Sequence, residues 1–197
     1  EDVAKGTKQA KDDRQLGKVA NLSLQYRTSP PKLRVVARVN WNIPMTLPEA
    51  QRIRATYLQT YRGVQAYWDH QITLTKQRGY VETFAGRRVR VVGDWTGGMG
   101  WSMGSTAINY RIQGTGADQK YLALAVLKPY LVKIGAYFAW DLHDGIYFWV
   151  PKAQVKRAAV EIKQMLDNLP YKQAWGFQPP IGLPWDCKVG PSWGQLK

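Results

Sequence analysis

The sequence predicts an α+β fold, mostly helical, with small antiparallel hairpins. Three observations predict it. Ala136–Val150 reads as two apolar runs around a polar tip, Leu142-His143-Asp144-Gly145, and Asp-Gly between hydrophobic runs is a strong hairpin signal. After the tip, Ile146, Phe148 and Val150 alternate with Tyr147 and Trp149, the period of a strand. Long stretches on either side carry apolar residues at helical spacing. The hairpin holds a carboxylate, Asp144, and an imidazole, His143, at its tip; taken alone, Asp144 and Gly145 also read as plain turn residues.

The 197 residues suffice for one good-sized domain or two small subdomains, and at 45% hydrophobic content a real core can form. Lys and Arg number 28 against 14 acidic residues, a net charge of +14 that favours a polyanionic partner, nucleic acid first, over a solubility charge or a basic protein-binding face. Nine Trp and eleven Tyr supply rings that pack or stack on bases. Cys187 is the only cysteine, which excludes an internal disulfide framework and is compatible with a reducing compartment. His70, His143 and Cys187 are too few and too scattered for a zinc site. No apolar run is long enough to span a membrane and no signal peptide is visible, so a cytoplasmic location without membrane contact is expected. Because the chain begins with Glu rather than Met, the expectation is a removed upstream segment or one piece of a longer product.

Residues 2–25 read as a helix, rich in Lys and Arg, free of Pro, with Leu16, Val19, Ala20 and Leu22 as an apolar side. Within it Arg14, Lys18, Leu22 and Tyr26 follow at steps of four, close to one turn, and so line one face. Two cations one turn apart can grip a triphosphate, with an apolar and an aromatic residue beyond them to meet sugar and base. The same spacing fits a solvated basic stripe. Pro30-Pro31 is expected to end this helix, and a second helix to cover Lys32–Asn40 with Leu33, Val36 and Ala37 inward.

Thr46-Leu47-Pro48-Glu49 is a capping box that opens a helical region running to about Lys76, where Ile53, Tyr57, Tyr61, Val64 and Trp68 read as core. Gly79 breaks it. Residues 80–84 and 87–92 read as a hairpin made basic by Arg87, Arg88 and Arg90, which suits a phosphate backbone. The glycine-rich Gly97–Gly104 does not fit dinucleotide-binding spacing and is expected to be a mobile loop. Residues 105–133 read as mostly helical. There Asn109 and Gln113 share a face as amide donors and acceptors, and Gly114 and Gly116 permit close backbone approach. Lys152–Leu166 is an amphipathic helix, with Val155, Ala159, Ile162 and Leu166 on the side that covers the hairpin. The tail from Leu169 is rich in Pro, Gly and Trp and holds an expected last strand over Leu183–Val189.

Four motifs stand in order: Arg14-x3-Lys18-x3-Leu22-x3-Tyr26; Gly79-Tyr80-Val81-Glu82-Thr83-Phe84-Ala85-Gly86-Arg87-Arg88; Ala107–Asp118, containing Asn109 and Gln113-Gly114-Thr115; and Leu142-His143-Asp144. Together they resemble the C-terminal half of the family A DNA polymerases, the DNA polymerase I type, with a bacteriophage flavour. Leu183–Gly190 and Trp193-Gly194-Gln195 are similar to the family's ending. The resemblance covers nearly the whole chain and implies a right-hand polymerase fold: helical fingers over residues 1–78 and an antiparallel palm over 79–197, carrying the hairpin 136–150. The thumb and the N-terminal palm would lie outside this chain.

By the same resemblance Arg14 and Lys18 bind the incoming dNTP triphosphate, and Lys18 protonates the departing pyrophosphate. Leu22 sits against the nucleotide sugar, and Tyr26 lies near the templating base. Asn109 and Gln113 touch the minor-groove edge, and amides there can check pair shape because minor-groove acceptors are common to all Watson–Crick pairs. Arg87 and Arg88 meet the DNA backbone, His143 supports the primer end, and Asp144 binds Mg2+, with two ions implied in the completed site. Primer–template DNA and dNTP are the implied partners, joined by a second polypeptide or upstream segment that supplies the first catalytic Asp and the thumb.

The chain departs from the family pattern in three places. Gly145 replaces the Glu of His-Asp-Glu, and Arg27 replaces the Gly of Tyr-Gly, so the local path after Tyr26 is expected to differ. The upstream metal-binding Asp is missing: Asp2, Asp12 and Asp13 lack its strand context, and Asp141 faces away from Asp144 or steps along the strand from it. The alternative reading is therefore a catalytically degenerate polymerase fold kept as a DNA-binding or structural subunit.

Overall fold

The computed structural model describes residues 7–196. Helix α1 spans Lys8–Leu24, and the Thr7 hydroxyl caps it by accepting from the Ala10 amide at 3.2 Å. The expected start at Asp2 lies outside the described residues. Helix α2 spans Pro30–Trp41. The sequence suggested that the two prolines end α1; instead α1 stops at Leu24 and the prolines begin α2. In a first helical turn a missing N–H costs nothing and the fixed φ is already helical.

Helices α3 (Leu47–Thr60) and α4 (Gly63–Arg78) replace the single helical region expected from Thr46 onward. Between them Tyr61 leaves helical geometry, at φ −107° and ψ 68°. Helix α4 ends at Gly79, whose φ of 71° suits a C-terminal glycine. Strands β1 (Tyr80–Glu82) and β2 (Arg88–Arg90) pair as a two-stranded sheet.

Helix α5 spans Gly97–Lys133, so the glycine-rich stretch expected as a mobile loop is the first part of a helix. Local bonding outweighs composition there. The Asp94 carboxylate accepts from the Thr96 amide at 2.8 Å, and the Thr96 carbonyl accepts from the Gly100 amide at 2.8 Å.

Strands β3 (Tyr137–Leu142) and β4 (Gly145–Trp149) form the antiparallel hairpin. Helices α6 (Val155–Asp167) and α7 (Tyr171–Trp175) follow. The expected last strand over Leu183–Val189 does not form. The tail spends its backbone groups on α6 side chains instead: the Trp185 amide donates to Asp167 at 2.9 Å, and its carbonyl accepts from Lys163 at 2.9 Å.

The described residues make two compact units. One takes those up to Val81 together with Val89–Tyr110; the other takes Glu82–Arg88 and Arg111 onward. In the first, Val19, Leu24, Leu33, Ala37 and Ala50 form a core from α1, α2 and α3, flanked by Trp41, Ile53 and Tyr57. In the second, Ala123, Leu127 and Leu131 of α5 meet Ala158, Ile162 and Leu166 of α6, and Ile146, Phe148 and Val150 pack on them. The α6 stripe thus centres on Ala158, one residue from the expected Ala159, and it covers one face of the hairpin as its amphipathic pattern requires.

The hairpin carries a β-bulge. Tyr137 pairs with Trp149 and Phe138 with Phe148; Ala139 is then passed over, and Trp140 pairs with Tyr147, Asp141 with Ile146 and Leu142 with Gly145. A one-residue slip sends every later side chain to the other face. Beyond the bulge, Asp141 therefore shares the inward face with Ile146, while Trp140 joins Tyr147 outside. Those two rings stack with centroids 5.7 Å apart, and Trp193 closes on them at 5.0 and 5.2 Å.

Candidate functional site

In the second unit the hairpin tip is a two-residue turn, His143–Asp144, between the paired Leu142 and Gly145. His143 takes a left-handed φ of 52°, which favours glycine. Both residues are exposed. Among the described residues no ion pair or hydrogen bond engages the Asp144 carboxylate. His143, Asp144 and Gln113 line one cleft of about 1190 Å³, walled also by Trp140 and Tyr147. At Gly145 an added Cβ would lie 3.1 Å from the Tyr147 hydroxyl, so the Tyr147 ring would have to give by a few tenths of an ångström to admit a side chain there.

Beneath the tip lies a residue that motif reading passed over. Lys120 of α5 is buried, forms an ion pair with Asp141, and donates to the His143 carbonyl at 3.2 Å. Asp141 is thus engaged by a lysine. Elsewhere in the second unit, the Arg87 Nε donates to Asp118 at 2.7 Å, and its guanidinium also donates to the Gly114 carbonyl at 3.0 Å. Asp118 is 7% exposed, so Arg87 neutralises a buried carboxylate on α5. Arg88 is more open and pairs with Glu82 at 2.6 Å.

In the first unit α1 sorts its residues by burial. Val19 and Leu24 are buried, whereas Arg14 and Lys18 are exposed and Leu22 is half-exposed, so these three line an open stripe. Tyr26 lies just past the helix end and is partly buried. Asn109, on α5, is exposed.

The turn after α1 is fixed from two sides. Trp68, fully buried, donates its indole N–H to the Gln25 carbonyl at 3.0 Å. Arg27 holds a left-handed φ of 65°, and its guanidinium lies 3.9 Å from the centroid of the Trp101 ring. A Cβ at Gly104 would lie 2.6 Å from an Arg27 terminal nitrogen and 3.1 Å from Ile72, so the glycine makes room for that side chain. Burial lowers the Arg27 pKa, and Asp69 opposes the shift. Sequence reading expected the path after Tyr26 to differ from the family pattern; in this chain Arg27 adopts a conformation that favours glycine, and its side chain is tethered to Trp101. Trp68 was read only as core, and Trp101 lay inside a stretch read as loop, so neither signalled this role.

A family model described as DNA polymerase family A matches residues 2–195. The chain belongs to family A of the DNA polymerases. It is 27% identical to DNA polymerase I of Deinococcus radiodurans over 94% of this chain and 18% of that protein. With DNA polymerase I of Aquifex aeolicus the identity is 30%, over 80% of this chain and 26% of the relative. The thermostable DNA polymerase I of Thermus thermophilus is 28% identical over 93% of this chain and 21% of its own length. The chain therefore spans about a fifth of these relatives. A solved structure of the POL domain of Pol1 from M. smegmatis, in complex with DNA primer-template and dNTP, superposes with a TM-score of 0.69 at 20% identity, over 83% of this chain and 28% of that one. This match shows the fold: the helix-rich chain with small antiparallel sheets folds like part of that polymerase domain.

Magnesium takes carboxylate, water and phosphate oxygens. The exposed Asp144 carboxylate fits as one ligand. No group of three or more His, Cys, Asp or Glu side chains among the described residues is placed to hold a metal ion.

Proposed function

We propose that this chain carries the fingers and part of the palm of a DNA-directed DNA polymerase, residues 1–78 and 79–197 by role, which extends a primer on template DNA with dNTPs. Supporting the reading above all is Asp144: an exposed carboxylate without a partner among the described residues, presented at the turn of a hairpin that packs on the core of the second unit, in a chain of this family. A segment bearing the first catalytic Asp completes the site. Such an enzyme works in the cytoplasm, that of the host if a bacteriophage encodes it.

The roles of this chain's residues follow from their chemistry. Arg14 and Lys18, open to solvent one turn apart, bind and orient the triphosphate, offsetting charge that builds on the pyrophosphate. Lys18 holds the proton that the departing pyrophosphate takes. Leu22 packs on the sugar, and Tyr26 abuts the templating base. Asn109 and Gln113 read the minor-groove edge, Arg87 and Arg88 the backbone. His143 steadies the primer end, and Asp144 would hold Mg2+. Two magnesium ions bound there would stabilise the attacking and leaving oxygens of an in-line displacement at the α-phosphorus.

Primer extension by the completed polymerase tests this. Asp144→Ala is expected to abolish extension while primer–template binding survives; retained extension would remove Asp144 from the chemistry. Gly145 and the lack, among the described residues, of a group of three or more metal-ligating side chains favour a second reading, a DNA-binding subunit of polymerase fold. It predicts salt-sensitive primer–template binding with no magnesium-dependent extension in any assembly.

A further inference from the structure

We propose that Lys120 is a positioning residue for the hairpin tip, tying its turn to α5 so that the Asp144 carboxylate is held in one place. The inference rests on the polymerase reading of Asp144. Three observations carry it. Lys120 is a buried lysine, its side chain 11% exposed, and a buried cation persists only where it is paired. Its ammonium group meets both ends of the tip's inward face at once, the Asp141 carboxylate one residue before the Leu142–Gly145 pair and the His143 carbonyl inside the turn. The bulge at Ala139 makes this possible. In the register of Tyr137 and Phe138, Asp141 would face outward; the one-residue slip turns it toward α5.

The tip has reason to need such a tie. His143 sits at a left-handed φ in a turn where glycine is the usual residue, so the turn is strained and does not fix itself. Its side chains, His143 and Asp144, are both exposed and gain nothing from core packing. Fixed geometry for Asp144 must therefore come through the backbone, and the bond from Lys120 to the His143 carbonyl acts on the peptide group that leads into Asp144. Lys120 also balances the Asp141 charge, which keeps Asp141 on the inward face.

Test this in the completed polymerase with Lys120→Met, Lys120→Arg and Asp141→Asn, and with Asp144→Ala alongside. Amide hydrogen exchange at residues 142–146 reads the tip directly, without activity. Lys120→Met is expected to raise exchange at those amides, to lower kcat about 10–100-fold and to raise the half-saturating magnesium concentration, the usual size of effect for groups behind a metal ligand. The dNTP KM and primer–template affinity should stay within about twofold, since such a group acts on the metal ligand and not on these contacts. Lys120→Arg, which keeps both bonds, should restore protection and most of kcat. Asp141→Asn, at a half-exposed position that tolerates the change if Lys120→Met does not fold, should shift exchange and kcat in the same direction. Wild-type exchange at the tip in Lys120→Met or Asp141→Asn overturns the proposal, as does lost turnover without a change at the tip. If Asp144→Ala still extends primers, the polymerase reading of the tip fails, and the exchange result judges the clamp by itself.

Discussion

Arg27 sets two residue-scale energies against each other. A non-glycine residue in left-handed geometry costs roughly 1–2 kcal/mol. A guanidinium over a Trp face returns about 1 kcal/mol when partly desolvated. Arg27→Gly removes both terms and should change stability little. Arg27→Ala keeps the strain and loses the stack, so it should be the less stable of the two by the strain alone, about 1–2 kcal/mol. Denaturant melts of the three proteins check the order; equal stability of the Gly and Ala variants would mean that φ of 65° carries no strain here. Trp101→Ala closes a double-mutant cycle in which the pair should couple by about 1 kcal/mol. Motif order in the sequence located Arg27 as a departure, but only packing shows what offsets it. Trp101 and Gly104 lie more than seventy residues away, and no local pattern links them to the turn.

Elements were legible where the signal is local. The capping box is one: Thr46 accepts from the Glu49 amide at 3.4 Å, and Glu49 accepts from the Thr46 amide at 2.7 Å, four residues that carry their own reason for starting α3. The α6 stripe and the two runs of the hairpin are likewise written in short-range periodicity. The bulge at Ala139, the break at Tyr61 and the helical start of α5 were not, because each is decided by bonds or packing that composition does not encode. The tail failed for the same reason: Asp167 and Lys163 take its backbone groups. The cap also makes a pH prediction. Hydrogen bonds from the Thr46 hydroxyl and amide hold the Glu49 carboxyl below its usual pKa. A lowered folded pKa means that its contribution is complete above the unfolded carboxylate value of about 4.3, and disappears as pH falls through the folded value. Glu49→Gln should therefore melt below wild type at pH 7, and the gap should close toward pH 3. A gap independent of pH would assign the effect to shape and not to charge.

At the scale of the whole molecule, the +14 charge must be divided among partners of different kinds. The proposed function assigns the exposed α1 cations to a triphosphate and the basic β-hairpin to DNA, and salt dependence separates the two roles. Each phosphate neutralised on duplex DNA adds about 0.9 to the slope of log affinity against log salt. Arg88 is the arginine to test. Arg87→Gln would leave the buried Asp118 unpaired and damage the second unit, whereas Arg88 is 64% exposed and its partner Glu82 stays near water. Arg88→Gln should lower the primer–template slope by about 0.9 and leave dNTP kinetics alone. Lys18→Gln should leave the slope unchanged while slowing incorporation and weakening nucleotide binding. If Lys18→Gln lowers the slope as much as Arg88→Gln does, with normal incorporation, α1 is a solvated basic stripe along DNA. The triphosphate would then have to be gripped elsewhere.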